Sequence, residues 1–335
     1  MLDLASLCPH PVTVRAIRQE THDVWTLEMD APGDYPYQPG QYALVGIDGG
    51  RAVRAYTLSS SPGLSETLNI TVRRIENGVG SGWLTRDVKP GDRLWLSDAQ
   101  GEFTPGKVIS GQYLFLAGGC GITPVISMTR WLLAHRPSSS LVVLYHVHSL
   151  EDVIFDVEWR ELEQRYPRQL RFVRIPGDPQ HKHATRLSVK QLEHHVPDIA
   201  ERTVMSCGPE GYMALAGELA LQMGVPPERF HHEAFCAAEV AAVNDDAPQC
   251  EIRLEPWGDK AQTPQGGNLL AALEEQQIPV AAACRTGVCG SCKVKVLDGV
   301  VTHGAQSTLG EDDRAEGYAL ACCCSVHSDV VIEAA

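Results

Sequence analysis

Cys284, Cys289 and Cys292 stand as C-x4-C-x2-C, and 29 residues separate the last of them from a run of three more, Cys322 to Cys324. This spacing suits four thiolates closing around two irons and two sulfides, so it dictates a small module with a tight cofactor-bearing loop. The loop residues agree. Ala281, Ala282 and Ala283 precede it, and Gly287, Gly290 and Ser291 lie within it. Small residues let backbone N–H groups approach the sulfurs and tune them. Zinc is the competing reading, but its ligands usually come as two short C-x2-C knuckles, and the four-residue gap is unusual for them. Spacing alone leaves Cys322, Cys323 and Cys324 open as the fourth ligand. Eleven cysteines behind an N-terminus without a signal-like stretch predict a reducing compartment, the cytoplasm, rather than a disulfide framework.

A chain of 335 residues has room for two or three domains. Over 1–106, short alternating runs such as Val12–Ile17, Tyr42–Ile47 and Leu68–Arg73 are punctuated by Pro39-Gly40 and Pro90-Gly91, which predicts an antiparallel β-barrel. Over 107–235 the rhythm changes to strand then helix: Tyr113–Ala117, Leu141–Val147, Leu170–Ile175 and Thr203–Ser206 alternate with helical stretches at Pro124–His135, Val157–Arg165 and Gly211–Gly224. That pattern predicts an α/β domain with a parallel sheet. Residues 236–249 read as a linker, and 250–335 as an α+β module, with a strand at Cys250–Leu254 and a helix at Asn268–Gln277. The uncharged stretch 108–129 is interrupted by Gly111, Gly118, Gly119, Gly121 and Pro124, so it reads as strand–loop–helix and not as a membrane span. A net charge of −14 without a basic stripe argues against nucleic-acid binding.

Four further segments carry chemistry. Arg54-Ala55-Tyr56-Thr57-Leu58-Ser59-Ser60 supplies a guanidinium for pyrophosphate, a ring to stack and hydroxyls for the edge of a flavin. Alone, it reads equally well as a strand with an exposed Arg and a core Tyr. Gly78-Val79-Gly80-Ser81 then opens a short helix whose free N–H groups suit an anion. Gly118-Gly119-Cys120-Gly121-Ile122-Thr123-Pro124 follows an apolar strand as a second anion cradle, though without the full G-x-G-x-x-G spacing. Met205-Ser206-Cys207-Gly208-Pro209 ends the last strand of the parallel set, where ligands sit in open sheets.

In this order the motifs resemble the ferredoxin–NADP reductase superfamily joined to a C-terminal plant-type ferredoxin domain of β-grasp fold, over essentially the whole chain. The resemblance implies FAD held by Arg54, Tyr56, Thr57 and Ser60, with Val72, Arg73, Val79, Gly80 and Ser81 lining that site. It implies nicotinamide dinucleotide at Gly119, Gly121 and Thr123, with Cys207 and Gly208 beside the nicotinamide. Glu233-Ala234-Phe235 is similar to the family's terminal acid-x-aromatic element, which gives Cys207, Glu233 and Phe235 positions at the reacting centre. Gly317 to Cys322 resembles the end of the plant-type ferredoxin motif and selects Cys322 as the fourth ligand, leaving Cys323 and Cys324 as packing residues.

Closer still, Val72 to Ile75, Trp95 to Asp98 and Ala282 to Arg285 resemble reductases that serve hybrid cluster protein, which implies NADH as donor and that protein as electron acceptor. Glu151 and Asp152, after the second strand of the sheet, suit ribose hydroxyls and repel a 2′-phosphate, which again favours NADH. An oxygenase reductase component is the alternative, and a redox-sensing interaction protein is a third reading from another class. The histidine pairs 181/183, 194/195 and 231/232 read as exposed side chains, since no nearby ligand set completes a metal site.

Overall fold

In a computed structural model of the protein, the residues described are 7–47, 52–76, 78–107, 110–177, 187–234, 247–278, 280, 282–287, 289–304 and 308–334. Phe235, His181, His183 and most of 236–249 lie outside them. Their contacts divide the chain into two compact units, one of Asp3–Arg51 with Tyr56–Phe235, the other of Cys236–Ala335 with Met1–Leu2 and Ala52–Ala55.

The first sheet is antiparallel. It is built from β1 (His10–Thr21), β2 (Val24–Asp30), β3 (Tyr42–Ile47), β4 (Ala52–Thr57), β5 (Leu68–Arg73) and β6 (Arg93–Leu96), in the order β4-β3-β6-β1-β2-β5. Its two edges meet: Leu58, just past β4, bridges Ile70 of β5, and Ser59 N–H donates to Asn69 O at 2.7 Å. The sheet therefore closes into a barrel, which removes its free edges. Alternation does the sorting, with Val12 and Val14 turned inward from β1 against Leu27, Ile70 and Leu94 in the buried core. One short helix, α1 (Val79–Arg86), follows β5.

The second sheet is wholly parallel: β7 (Gln112–Gly118), β8 (Ser140–Val147), β9 (Leu170–Pro176), β10 (Thr203–Gly208) and β11 (Phe230–Ala234), in the order β11-β10-β7-β8-β9. Strands β7, β8 and β10 are buried almost end to end, as helices on both faces require. Phe115, Tyr145 and Phe172 pack under α2 (Ile122–His135) and α3 (Asp156–Arg165), with Trp159 stacked on Phe172 at 4.2 Å. On the opposite face Leu114, Leu116 and Leu144 meet α4 (Val189–His195) and α5 (Glu210–Gln222) through Leu192 and Leu219. The stretch from Gln112 to His135 is thus strand, glycine turn and helix, and among the described residues no helix is long and apolar enough to cross a membrane.

The second unit holds β12 (Gln249–Glu255), β13 (Asp259–Pro264), α6 (Leu269–Glu275), β14 (Lys293–Asp298), β15 (Val301–His303), α7 (Glu311–Ala315), β16 (Tyr318–Leu320), β17 (Cys324–Val326) and β18 (Val330–Ala334). Its main sheet runs β13-β12-β18-β14-β16, with β12 and β18 parallel at the centre and the flanking pairs antiparallel. Leu269, Leu270 and Leu273 of α6 are buried in the same core as Ile252, Leu254 and Ile332, the helix-on-sheet arrangement of a β-grasp. Asn268 caps α6 by accepting from Ala271 N–H at 3.0 Å.

Candidate cofactor sites

In the second unit the cysteines expected as cluster ligands sit on an irregular loop between α6 and β14 and on the turn after β16. Left-handed backbone at Arg285 (φ 60°), Gly287 (φ 74°) and Gly290 (φ 72°) lets this short loop coil around its own interior. Cys284, Cys292 and Cys322 are at most 2 % exposed. Backbone N–H groups point at sulfur: Cys284 N–H donates to Cys289 Sγ at 3.4 Å and Thr286 N–H to Cys284 Sγ at 3.3 Å. Ser291 braces the loop, accepting from Ala283 N–H at 2.8 Å and lying 3.1 Å from Cys289 Sγ. Cys322 is tied in by Asn268, whose Nδ2 donates to Cys322 O at 3.0 Å.

The thiols are arranged as pairs. Contact with Cys284, then burial, raises Cys289, and contact with Cys322, then burial, raises Cys292. A mononuclear tetrahedral site with Zn–S near 2.3 Å would place all four sulfurs within about 3.8 Å of one another. Among the described residues the one His/Cys/Asp/Glu group of three mutually within 4.8 Å is His22, Asp23 and Asp152, so no three of these sulfurs meet that test. Two pairs suit two irons, and the residues fit a [2Fe–2S] cluster better than zinc. Cys323 Sγ lies 3.6 Å from Cys322 Sγ, and Cys324 Sγ is 3.5 Å from His303 Nδ1.

In the first unit, Tyr56 and Thr57 at the end of β4, together with β5 and α1, carry residues expected at the flavin; Arg54, earlier on β4, belongs to the other unit. Thr57 is buried, and its Oγ1 has no hydrogen-bond partner, an uncompensated polar atom of the kind a bound ligand satisfies. Tyr56 is half-buried on the same strand, as is Arg54, which donates to Val53 O at 2.8 Å. α1 has no side-chain N-cap and no acid in its first turn, so the N–H groups of Val79, Gly80 and Ser81 remain open to an anion. The Ser81 hydroxyl is used inside the loop, accepting from Ile75 N–H at 3.1 Å, and Val72 is buried, so both offer backbone rather than side chain.

The Ser60 hydroxyl is engaged within the barrel. The side chain is fully buried, accepting from Tyr37 OH at 2.8 Å and from Asn69 N–H at 3.1 Å. It belongs to a serine clamp that fastens the barrel to α2: Ser61 Oγ donates to Ser127 O at 2.8 Å, Ser127 Oγ donates to Ser60 O, and Arg130 reaches Ser59 O. Arg130 is itself held in a bidentate pair with Glu158.

At the end of β7, residues Gly119–Gly121 form one tight turn before α2 begins. A Cβ on Gly121 would stand 2.0 Å from Cys207 O, and one on Gly208 would stand 3.2 Å from Gly118 Cα. Glycine at these positions lets the ends of β7 and β10 close on each other. Thr123 Oγ1 donates to Cys120 O at 3.0 Å and so fixes the turn. Beside it opens a cleft of about 440 Å³, lined among others by Arg73, Gly118, Gly119, His146, Asp152 and Tyr212. Arg73 Nε lies 3.2 Å from Asp23 as an ion pair without hydrogen-bond geometry, and His22 lies 3.4 Å from Asp152.

Register in the parallel sheet sets Cys207 of β10 beside Glu233 of β11. Cys207 is fully buried, and burial first, with Glu233 second, pushes its thiol well above the usual range. Glu233 is half-buried as a residue, but its Oε2 is enclosed and unpartnered, and burial lifts the carboxyl to about 8. This corner therefore presents two uncharged acids at neutral pH. The sequence did not single out His146, Tyr212, Ser127 or Arg130, and only the strand-end position of His146 and the nearness of Tyr212 to Cys207 hinted at two of them.

Three family models match in order: an oxidoreductase FAD-binding domain at residues 11–104, an oxidoreductase NAD-binding domain at 115–218, and a 2Fe-2S iron-sulfur cluster binding domain at 252–327. The chain is 45% identical to NADH oxidoreductase HCR of Escherichia coli (strain K12) over 97% of its own length and 98% of the relative's. It is 33% identical to the glycine betaine monooxygenase reductase subunit of Chromohalobacter salexigens, over 97% and 95%. Its fold matches phthalate dioxygenase reductase with a TM-score of 0.68 at 24% identity, covering 96% of this chain and 97% of that one. With FAD, NAD and 2Fe-2S domains in this order, the chain belongs to the ferredoxin–NADP reductase superfamily, in its form with a C-terminal [2Fe–2S] domain.

Proposed function

We propose that the protein takes hydride from NADH at FAD and passes electrons one at a time through its [2Fe–2S] cluster to a protein acceptor, hybrid cluster protein, in the cytoplasm. The observation that carries the reading is the paired setting of Cys284 with Cys289 and Cys292 with Cys322, on a chain that also holds a nucleotide cleft. A two-electron entrance and a one-electron exit require a carrier between them, which is what a flavin supplies when bound. The acceptor and the donor are supported by the 45% identical Escherichia coli relative, and NADH also by Asp152 in the cleft.

The chain's own residues position and exclude. Thr57 supplies a hydroxyl to the flavin edge, Tyr56 a ring to its face, Arg54 a cation, and residues 79–81 N–H donors to its pyrophosphate. Val72 and Arg73 line the same site from β5. Gly119, Gly121 and Thr123 shape the dinucleotide turn, while Cys207, Gly208 and Glu233 keep the nicotinamide corner dry and neutral, with Phe235 following. These residue roles, and the division into 1–106, 107–235, a 236–249 linker and 250–335, form part of the proposal.

The relative named as a glycine betaine monooxygenase reductase subunit supports a second reading, supply of electrons to an oxygenase. Anaerobically reduced protein mixed with each candidate acceptor separates the two. Rapid reoxidation by hybrid cluster protein supports the first reading; reoxidation by an oxygenase component alone overturns it.

A further inference from the structure

One helix is tied at its start to the glycine turn and further along to the barrel. α2 begins at Ile122, where the turn Gly119–Gly121 ends, and Thr123 in its first turn holds that turn through Cys120 O. Ser127 and Arg130 stand in its second and third turns, about 8 and 12 Å along the axis at 1.5 Å per residue. Both reach the segment that follows Tyr56 and Thr57 out of β4. Ser127 Oγ donates to Ser60 O, Ser61 Oγ donates back to Ser127 O at 2.8 Å, and Arg130 Nη1 donates to Ser59 O. Ser59, Ser60, Ser61 and Ser127 are at most 2 % exposed.

The segment is fixed from its other side as well. Ser59 N–H donates to Asn69 O at 2.7 Å, Ser59 Oγ lies 2.9 Å from Thr71 Oγ1, and Ser60 Oγ accepts from Tyr37 OH at 2.8 Å. Sliding it along α2 would leave several buried polar groups unpaired at once, each at a cost larger than the bond itself contributes. Arg130 is aimed by the carboxylate of Glu158 on α3, which takes its Nε and Nη2 and leaves Nη1 for Ser59. Apolar packing agrees, since Val24 of β2 and Phe103 lie in the same buried core as Val125 and Met128 of α2.

The chemistry proposed above is sensitive to such a connection. In hydride transfer the C4–H bond of the reduced nicotinamide breaks, the hydrogen leaves with the bonding pair, and an N–H bond forms at flavin N5. Nicotinamide is oxidised, flavin is reduced, and no further proton is taken up. A misplacement of about 1 Å between such reactants costs about a hundredfold in rate. The glycine turn belongs to the dinucleotide and Tyr56 and Thr57 to the flavin, and α2 spans the two.

Resting on that hydride-transfer function, we propose that Ser127 and Arg130 are positioning residues: by fastening Ser59–Ser61 to the helix that carries the dinucleotide turn, they set the separation of hydride donor and acceptor and leave the affinity for NADH to other groups.

The test uses the full-length, flavin-loaded protein and anaerobic stopped-flow bleaching of the flavin by NADH, and by NADH deuterated at C4, over a range of concentrations. Ser127→Ala should lower the limiting rate about ten- to a hundredfold while the half-saturating NADH concentration moves by less than about twofold. The deuterium isotope effect should persist, marking hydride transfer as the slowed step. Arg130→Met should act in the same way, and Arg130→Lys, which keeps one donor for Ser59 O, should recover part of the rate. An unchanged limiting rate in Ser127→Ala and Arg130→Met overturns the assignment, as does a slowed rate matched by equally weakened NADH binding or stripped of its isotope effect. Failure of both variants to load flavin overturns it too, because the bonds would then hold the fold and not the separation. Each of these results leaves the reductase function intact, whereas wild type that NADH does not bleach overturns that function and this assignment with it.

Discussion

Glu233 makes the thermal stability of the first unit depend on pH in a direction opposite to that of ordinary carboxylates. Its carboxyl is raised from 4.5 to about 8 by burial, with Oε2 enclosed and unpartnered. Between those values the folded protein holds a proton that the unfolded chain has released. The contribution is therefore complete below pH 4.5 and is lost as pH rises through 8. Each unit is worth about 1.4 kcal/mol, so moving from about pH 5.5 to 8 removes at most about 3 kcal/mol, and partial exposure of the residue lowers that figure. For a unit of this size that corresponds to a fall in Tm of up to about 10 °C. Glu233→Gln keeps the shape but abolishes the ionisation. The difference in Tm between wild type and variant, scanned across pH 5.5 to 8, isolates this residue from every other titration. Wild type should lose ground against Glu233→Gln as pH rises. Parallel curves would show that the carboxyl is solvated and ionised throughout, and the account of a dry, neutral nicotinamide corner would fail.

Other outcomes follow from the same geometry. Thr57→Val removes a buried orphan hydroxyl and should stabilise the flavin-free protein by about 1 kcal/mol while weakening flavin binding about tenfold, two opposite signs read by thermal melts and fluorescence titration. Gly121→Ala drives a methyl into Cys207 O and should cost about 1–3 kcal/mol in stability and raise the KM for NADH, measured by melts and steady-state dye reduction. Cys292→Ser should abolish the cluster's visible and paramagnetic signals while NADH still bleaches the flavin. Cys323→Ser should keep those signals, since Cys322 is the sulfur paired with Cys292; their loss would move the fourth ligand to Cys323.

Much of this molecule is legible in its sequence because the deciding signals are local. The spacing of Cys284, Cys289 and Cys292 is fixed by a loop that must coil around a cluster, and its small residues show as much. Alternation in β1 and β2 and the continuous apolar runs of β7 and β8 follow from burial on one face or on two. The parts that stay hidden depend on partners far along the chain. Ser60 reads as a ligand contact beside Thr57, yet Tyr37 and Asn69 claim its hydroxyl. His146 and Tyr212 are 66 positions apart, and neither residue type is unusual where it stands. Ser127 and Arg130 look like the polar face of a helix until the barrel's Ser59–Ser61 segment is packed against them. Helix α4, with His194 and His195 in its last turn, is hard to read from sequence because its apolar content is slight; there Arg171 Nη1 donates to His195 O at 2.9 Å and its Nη2 lies 3.2 Å from His195 Nδ1.

Anaerobic stopped-flow reduction by NADH, with flavin and cluster absorbance followed together, tests the central claim most directly. Flavin bleaching should come first, cluster reduction should follow it, and Cys292→Ser should show only the first phase. A cluster that stays oxidised while the flavin is bleached, or one that is reduced without the flavin, would contradict the proposed route of the electrons.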